Sequence, residues 1–357
     1  MRGLLEQAAE ALHPDIDAAA CVHALAETSD CRACVDACPR QAWVLDDEAL
    51  GLDTAACDGC GLCVPVCPRG AISSDLPVET LLYRGRRVAI LACEPAGVDG
   101  AGVMPCVHAV GLAHLIALYR QGVRTLLIAQ GRCDACDRQG SGQSLPVAIA
   151  RLQALLDDRG LAPLKARAYG PGEWRARREV LLGGGLRNAG AEMSRRAFLR
   201  GAAGEALQQG LQIRGIGLPA RRQDTRRLDD SLPPKGGRAL YSAVPVIDEG
   251  RCEACHACAR ICPDGALEFD AVQRSYRIRP GACSACGLCE SVCEVGAVAL
   301  QRWVKAPPER HLALVERRCR ACGAPAWRLA GQEQGTTGLC RICARTHHHA
   351  NLYQVLE

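Results

Sequence analysis

Aromatic residues are scarce: two Phe, four Trp and six Tyr in a chain of 357 residues. Aromatic rings supply much of the buried apolar area of ordinary cores. A chain this short of them must hold small modules together by other means, and metal ligation contributes folding free energy directly. Long apolar runs are missing as well. The nearest approach, residues 101–119, has no formal charge but is interrupted by Pro105 and carries His108 and His114, so no membrane span is expected. There is no G-x-G-x-x-G loop, no P-loop and no nucleophile elbow, which leaves no motif for a substrate pocket. The opening stretch MRGLLEQAAEALHPDID lacks an apolar h-region and carries Glu6, Glu10 and Asp15. No secretory signal is expected, and the cytoplasm is the expected compartment.

What the chain has instead is cysteine, 24 residues of it. Most fall in C-x-x-C runs, which suit metal chelation better than the long-range cross-links of a secreted disulfide scaffold. The formal net charge of +4 is modest, yet residues 165–238 hold 16 Lys+Arg against 7 Asp+Glu. An amphipathic stretch at 4–12 precedes a cysteine-rich zone at 21–72. RRVAILAC (86–93) and VRTLLIAQ (123–130) are apolar runs of strand length. Residues 107–121 and 146–159 have helical periodicity, the latter closed by Gly160. Strand–helix–strand–helix implies a small α/β unit with a parallel sheet. Residues 171–243, rich in Arg, Gly and Pro, read as a mobile connector around one helix at 194–209.

The strongest motif is Cys252-x2-Cys255-x2-Cys258-x3-Cys262-Pro263, followed by Cys283-x2-Cys286-x2-Cys289-x3-Cys293. This pattern resembles the bacterial two-cluster ferredoxin over about fifty residues, with Glu294 where the second run usually has Pro. A tight C-x2-C-x2-C loop wraps three thiolates around one cube, and the fourth cysteine reaches the other cube. The resemblance implies one [4Fe–4S] cluster on Cys252, Cys255, Cys258 and Cys293, and another on Cys283, Cys286, Cys289 and Cys262. Between the runs, ALEFD and SYRIR alternate like a hairpin. A pair of zinc knuckles is the rival reading, disfavoured by eight thiols at ferredoxin spacing. Cys252-Glu-Ala-Cys255-His256 also matches a c-type haem attachment motif; the complete ferredoxin run makes that a coincidence.

The N-terminal module is similar and imperfect. Cys57-x2-Cys60-x2-Cys63-x3-Cys67-Pro68 is complete, whereas Cys31-x2-Cys34-x3-Cys38-Pro39 has Thr28 where its first cysteine belongs. The resemblance implies a cluster on Cys57, Cys60, Cys63 and Cys38. It implies a second on Cys31, Cys34, Cys67 and Cys21, the last displaced by an insertion. A free Cys21 thiol beside a three-iron cluster is the alternative.

Cys319-x2-Cys322-x17-Cys340-x2-Cys343 fits a structural four-cysteine zinc site and resembles a zinc ribbon, with a rubredoxin-like iron site as alternative. Cys93, Cys106, Cys133 and Cys136 remain. All four are expected at one edge of the parallel sheet, where α/β proteins bind ligands. The stretch VMPCVHAVGLAHLIALYRQGVRTLLIAQGRCDAC resembles the iron–sulfur subunit of methyl-viologen-reducing hydrogenases, which implies a [2Fe–2S] centre. Gln130 departs from that pattern, so a second zinc, a redox-active Cys133/Cys136 pair and ordinary buried thiols stay open.

The expected fold class is α+β and multidomain: two ferredoxin-like 2[4Fe–4S] modules flanking a small parallel α/β domain, plus a C-terminal zinc ribbon. The expected divisions are 1–80, 84–170, 171–243, 244–304 and 310–357. Four [4Fe–4S] clusters and one zinc make an electron carrier the first expectation, since the cofactor supplies the chemistry. Its partner would be a larger redox enzyme or another electron carrier, with no stand-alone catalysis. The alternative is a maturation factor for a molybdenum or hydrogenase-type enzyme, because SRRAFLRG (194–201) resembles a segment of the ferredoxin-like maturation proteins of periplasmic nitrate reductase. That segment also matches a twin-arginine motif but lacks the apolar run that export requires. No nucleic-acid partner is expected, since the Arg-rich stretch has few interleaved aromatics.

Overall fold

A computed structural model of the chain describes residues 13–45, 50–138, 144–188, 229–233, 235–332 and 338–347. The amphipathic stretch at 4–12 and the helix expected at 194–209, with its SRRAFLRG segment, lie outside the described residues. The chain divides into two compact units, Met1–Cys21 with Arg32–Thr225, and Val22–Cys31 with Arg226–Glu357.

In the first unit, short strands β1 (Asp15–Ile16) and β4 (Ile72–Ser73) pair antiparallel around a hairpin of β2 (Trp43–Leu45) and β3 (Leu50–Leu52). The cysteine runs fill the space between these strands. A second sheet comes next along the chain in the order β5-β6-β8-β9, from Glu79–Tyr83, Arg86–Cys93, Val123–Ala129 and Lys165–Tyr169, with β7 (Val103–Met104) beside β6. β6, β8 and β9 run parallel, and β5 is antiparallel to β6. The apolar runs become strands because both faces are covered: Ala89, Ile90, Leu91 and Ala92 are completely buried. The helices Leu112–Arg120 (α1) and Leu145–Asp158 (α2) contribute Leu115, Leu118, Leu152, Leu155 and Leu156 to that core. Each such leucine contributes about 1.5–3 kcal/mol of burial. Gly160, at φ +64°, ends α2, and the Leu161 N–H bonds the Leu156 carbonyl at 2.9 Å, the expected left-handed stop.

The mobile connector expected from residue 171 is corrected in its first part, where Pro171–Asn188 form a helix, α3. Pro171 is pre-set for a helix start. Trp174 and Leu181, seven residues apart, are buried on one side. Arg178 binds Glu79 of β5 at 3.2 Å. Arg175 and Arg177, two of the arginines that suggest a linker, are exposed on a docked helix.

The second unit repeats the nested pattern of the first at larger scale. β10 (Ala239–Ile247) pairs with β13 (Val298–Ala306) around the hairpin of β11 (Leu267–Asp270) and β12 (Ser275–Ile278). The hairpin falls where ALEFD and SYRIR alternate. Its sheet continues through β14 (Arg310–Arg318) to β15 (Pro325–Leu329), in the order β11-β12-β14-β15. Arg310–Arg318 and Pro325–Leu329 are therefore hydrogen-bonded into the same sheet as the ferredoxin hairpin.

Candidate iron–sulfur and metal centres

Three tight loops carry the cysteines, and they share a backbone device. In Cys57–Cys63, Cys252–Cys258 and Cys283–Cys289, the residues flanking the middle cysteine are left-handed: Gly59 and Gly61, Ala254 and His256, Ala285 and Gly287. Alternating handedness turns successive N–H groups toward one concave side, where they meet anionic groups. The Ala254 and Ala285 amides accordingly donate to Cys252 Sγ and Cys283 Sγ, each at 3.4 Å. The incomplete run at 31–38 lacks this pair, for Arg32 has φ −124°.

The fourth cysteine of one run joins the three of the other. Cys262, Cys283, Cys286 and Cys289 line one cavity, walled by Pro245, Leu267, Leu288 and Leu300. Cys38, Cys57, Cys60 and Cys63 line its counterpart in the first unit, with Trp43 and Leu62. Cys252, Cys255, Cys258 and Cys293 form the third set, close enough for their thiolate charges to repel one another. Ala42 N–H donates to Cys38 Sγ at 3.4 Å, and Ala297 N–H to Cys293 Sγ at 3.1 Å. For the remaining set, Cys21, Cys34 and Cys67 pack against one core with Trp43, Val64 and Ile72. Cys31 falls in the segment grouped with the second unit; its carbonyl accepts from His23 Nε2 at 2.8 Å.

Cys60, Cys258 and Cys283 are hard to ionise unaided. Burial, then repulsion within the set, pushes Cys258 up to about 12; for Cys60 and Cys283 burial leads, neighbouring charges add to it, and both reach about 12. Four thiolates lining one cavity need a polycationic core to balance them, and a bound metal reverses the local pKa order outright. The residues therefore fit an iron–sulfur cube, in which ligand sulfurs bind different irons and stand apart.

His256 braces the first loop of the second module. Its ring stacks on Phe269 at 4.0 Å, and its Nδ1 meets the Tyr276 hydroxyl at 2.8 Å. The His256 N–H donates to the same hydroxyl at 3.3 Å, which leaves the hydroxyl proton for Nδ1. Burial, with the charges of Arg260 and Arg341, lowers the imidazole pKa to about 4, so the ring is neutral.

Cys319, Cys322, Cys340 and Cys343 are different. Their four sulfurs lie within 4.8 Å of one another, and Cys322 Sγ is 3.9 Å from Cys340 Sγ. A tetrahedral ion with metal–sulfur bonds of about 2.3 Å puts its ligands about 3.8 Å apart. This quartet could hold a metal such as zinc. Gly323, at φ +71°, makes the turn behind the first pair. Backbone N–H groups of Cys322 and Cys340 hold the Cys319 thiol well below its ordinary value, a thiolate prepared for a cation.

Cys93, Cys106, Cys133 and Cys136 line one cavity of ≈ 130 Å³ at the C-terminal edge of the parallel sheet. Burial, then the charges of the other three, pushes Cys106 up to about 11. Gly131 N–H donates to Cys93 Sγ at 3.2 Å. His108 Nδ1 accepts the Leu145 N–H at 3.1 Å, so its proton sits on Nε2, which faces Cys133 Sγ at 3.4 Å. Two thiols of the four thus have donors already in place. Among the described residues, the four are not drawn together as tightly as the 319–343 quartet.

No helix among the described residues is long and apolar enough to cross a membrane. Comparison with curated proteins finds no match for the chain. Residues 28–72 and 251–297 each match a family of the 4Fe-4S dicluster domain. The first match begins at Thr28, where the displaced cysteine is missing. With both cysteine-rich segments so matched, the chain carries two 4Fe-4S dicluster domains, the equipment of an iron–sulfur electron-transfer protein.

Proposed function

We propose that the chain relays single electrons through four [4Fe–4S] clusters to or from a larger oxidoreductase, with no substrate chemistry of its own. One observation carries this reading: the cysteine sets interlock. Cys289 of one set lies close enough to Cys258 of the other to feel its charge. Centres placed so closely exchange electrons readily, while the apolar walls keep water and oxidants out. The ligands are the sixteen cysteines of the two modules, Cys21 among them. Zinc occupies the 319–343 quartet as a structural ion, because a closed tetrahedron leaves no open position for chemistry.

The sheet-edge cavity is a further iron–sulfur site with four thiolate ligands. The wider spacing of its sulfurs, against the tight quartet at 319–343, favours a two-iron centre over a second zinc. The N–H donors on Cys93 and Cys133 support the thiolate form.

Anaerobic purification with metal counting tests the whole scheme. Four cubes and one two-iron centre predict about eighteen irons and one zinc per chain. A count near ten irons means that one module is empty and the relay is broken. A second reading, a maturation factor for a molybdenum or hydrogenase-type enzyme, rests on the resemblance of SRRAFLRG. In a host lacking this chain, an enzyme that matures fully but receives no electrons supports the relay. An enzyme that fails to acquire its cofactor supports the second reading.

A further inference from the structure

The sheet-edge cavity and the cavity of Cys38, Cys57, Cys60 and Cys63 have a wall in common. Leu62 lines both. Cys60, Leu62 and Cys106 form a buried cluster, one cysteine from each cavity with the leucine between them. Two glycines keep the backbones this close. A Cβ on Gly61 would stand 3.0 Å from Ala109 Cβ, and one on Gly111 would stand 2.4 Å from Pro65 Cβ.

Arg138 fastens the contact. It lies two residues beyond Cys136, and its guanidinium reaches three other cysteine loops at once. Nε donates to Asp58, inside the Cys57–Cys60 turn, at 2.9 Å. Nη1 donates to Glu94, next to Cys93, at 2.8 Å, and to the carbonyl of Pro105, next to Cys106, also at 2.8 Å. Only 17% of the side chain is exposed. Asp58 also accepts from the Cys60 N–H at 3.2 Å and from Arg40 Nε at 3.2 Å, so the clamp reaches the cysteine turn itself. Such a planar fork fixes geometry in a way that a point charge cannot.

We propose that this contact is an electron-exchange junction, with Leu62 as the bridge and Arg138 as the positioning residue that holds the two sites in register. It rests on the reading of the sheet-edge cavity as an iron–sulfur site. With a cube held by Cys38, Cys57, Cys60 and Cys63 and iron held by the cavity's four cysteines, one electron would pass from the reduced cube to the oxidised iron across Leu62. The cube would return to its oxidised state, with no covalent bond or proton changing hands. The α/β unit is then the terminal of the first module's relay, and its edge is where a partner's electron carrier exchanges.

The test uses the full chain, purified anaerobically and reduced with dithionite. Replacing Cys133 and Cys136 by Ser should remove about two irons and narrow the cube's EPR signal, because a neighbouring spin is lost. Unchanged iron would overturn the cavity reading beneath the proposal. Lost iron with an unaltered cube signal would overturn the junction alone. Arg138→Gln should keep its iron, lower the cube's midpoint potential by removing the cation beside Asp58, and slow equilibration between the two centres at least tenfold. Arg138→Lys should restore the potential but not the rate, since it returns charge without the fork. Equal rates in parent, Arg138→Gln and Arg138→Lys would sink the positioning role. If Arg138→Gln loses its clusters, the lysine variant decides the question by the same rate measurement.

Discussion

Tyr276→Phe removes one oxygen from the second module, and with it both hydrogen bonds that tie the tyrosine to a cluster loop. Tyr276 is 1% exposed, and its hydroxyl serves two groups of the Cys252–Cys258 loop: the His256 N–H and the His256 Nδ1. Phenylalanine keeps the packing and abandons both. A buried polar group left unpaired costs about 1–3 kcal/mol, and the ring can tilt to recover part of it, so a loss of about 2–4 kcal/mol is expected. At about 1.4 kcal/mol per factor of ten, local opening of the loop becomes roughly thirty-fold to several hundred-fold more frequent. The assay is the rate at which the reconstituted protein surrenders iron to a chelator under anaerobic conditions, followed by visible absorbance. The four sites should separate, with the Cys252 set released first. A release rate within twofold of the parent would show that the hydroxyl does not brace the loop, and that stacking on Phe269 alone secures His256.

Cys21→Ser should convert one cube of the first module to a three-iron form, seen by EPR of the oxidised protein; an unchanged spectrum removes Cys21 from the ligand set. His114, buried in the α/β core with Nδ1 accepting the Gly111 N–H, has its pKa lowered to about 3 by burial. A base depressed in the folded state contributes stability fully present above the unfolded value of about 6.5 and lost as pH falls toward 3, at about 1.4 kcal/mol per pH unit. Urea titration should show about 2 kcal/mol lost between pH 6.5 and 5, and His114→Gln should flatten that slope; an equal slope in the variant removes His114 as the cause. Cys343→Ser should abolish zinc in the purified protein and destabilise β14 and β15; retained stoichiometric zinc would deny the quartet its ion.

The cysteine spacing made the grouping of each complete run legible, because three thiols within seven residues cannot spread around more than one cavity; the crossing of the fourth cysteine came from the resemblance to two-cluster ferredoxins and not from spacing. RRVAILAC and VRTLLIAQ were equally readable, since strands buried on both faces leave uninterrupted apolar runs. The docking of Pro171–Asn188 was hidden. Trp174 and Leu181 are its buried anchors among the described side chains, and so sparse an apolar pattern over eighteen residues looks like linker. The left-handed residues of the loops were half visible: Gly59, Gly61 and Gly287 announce themselves, but Ala254, His256 and Ala285 carry a Cβ and give no sign. Arg138 was invisible for a different reason. Its partners lie 80, 44 and 33 positions away, and nothing local marks a residue whose role is to join distant loops.

The two modules differ in how far they could be cut out and moved. In the second, the outer ribbon of β10 and β13 runs nine residues in each strand, and β14 and β15 extend its hairpin sheet. Such a piece carries its own scaffold. In the first, the corresponding ribbon of β1 and β4 is two residues long, too little to stand alone in water. Its support comes from Ala109 and Gly111 of the α/β unit and from Arg138. Truncation near residue 80 would therefore strand the first module, whereas the strands that scaffold the second lie within its own stretch, from β10 to β15. A gene fusion that borrows one module will succeed with the second, and one that borrows the first must carry the α/β sheet along with it.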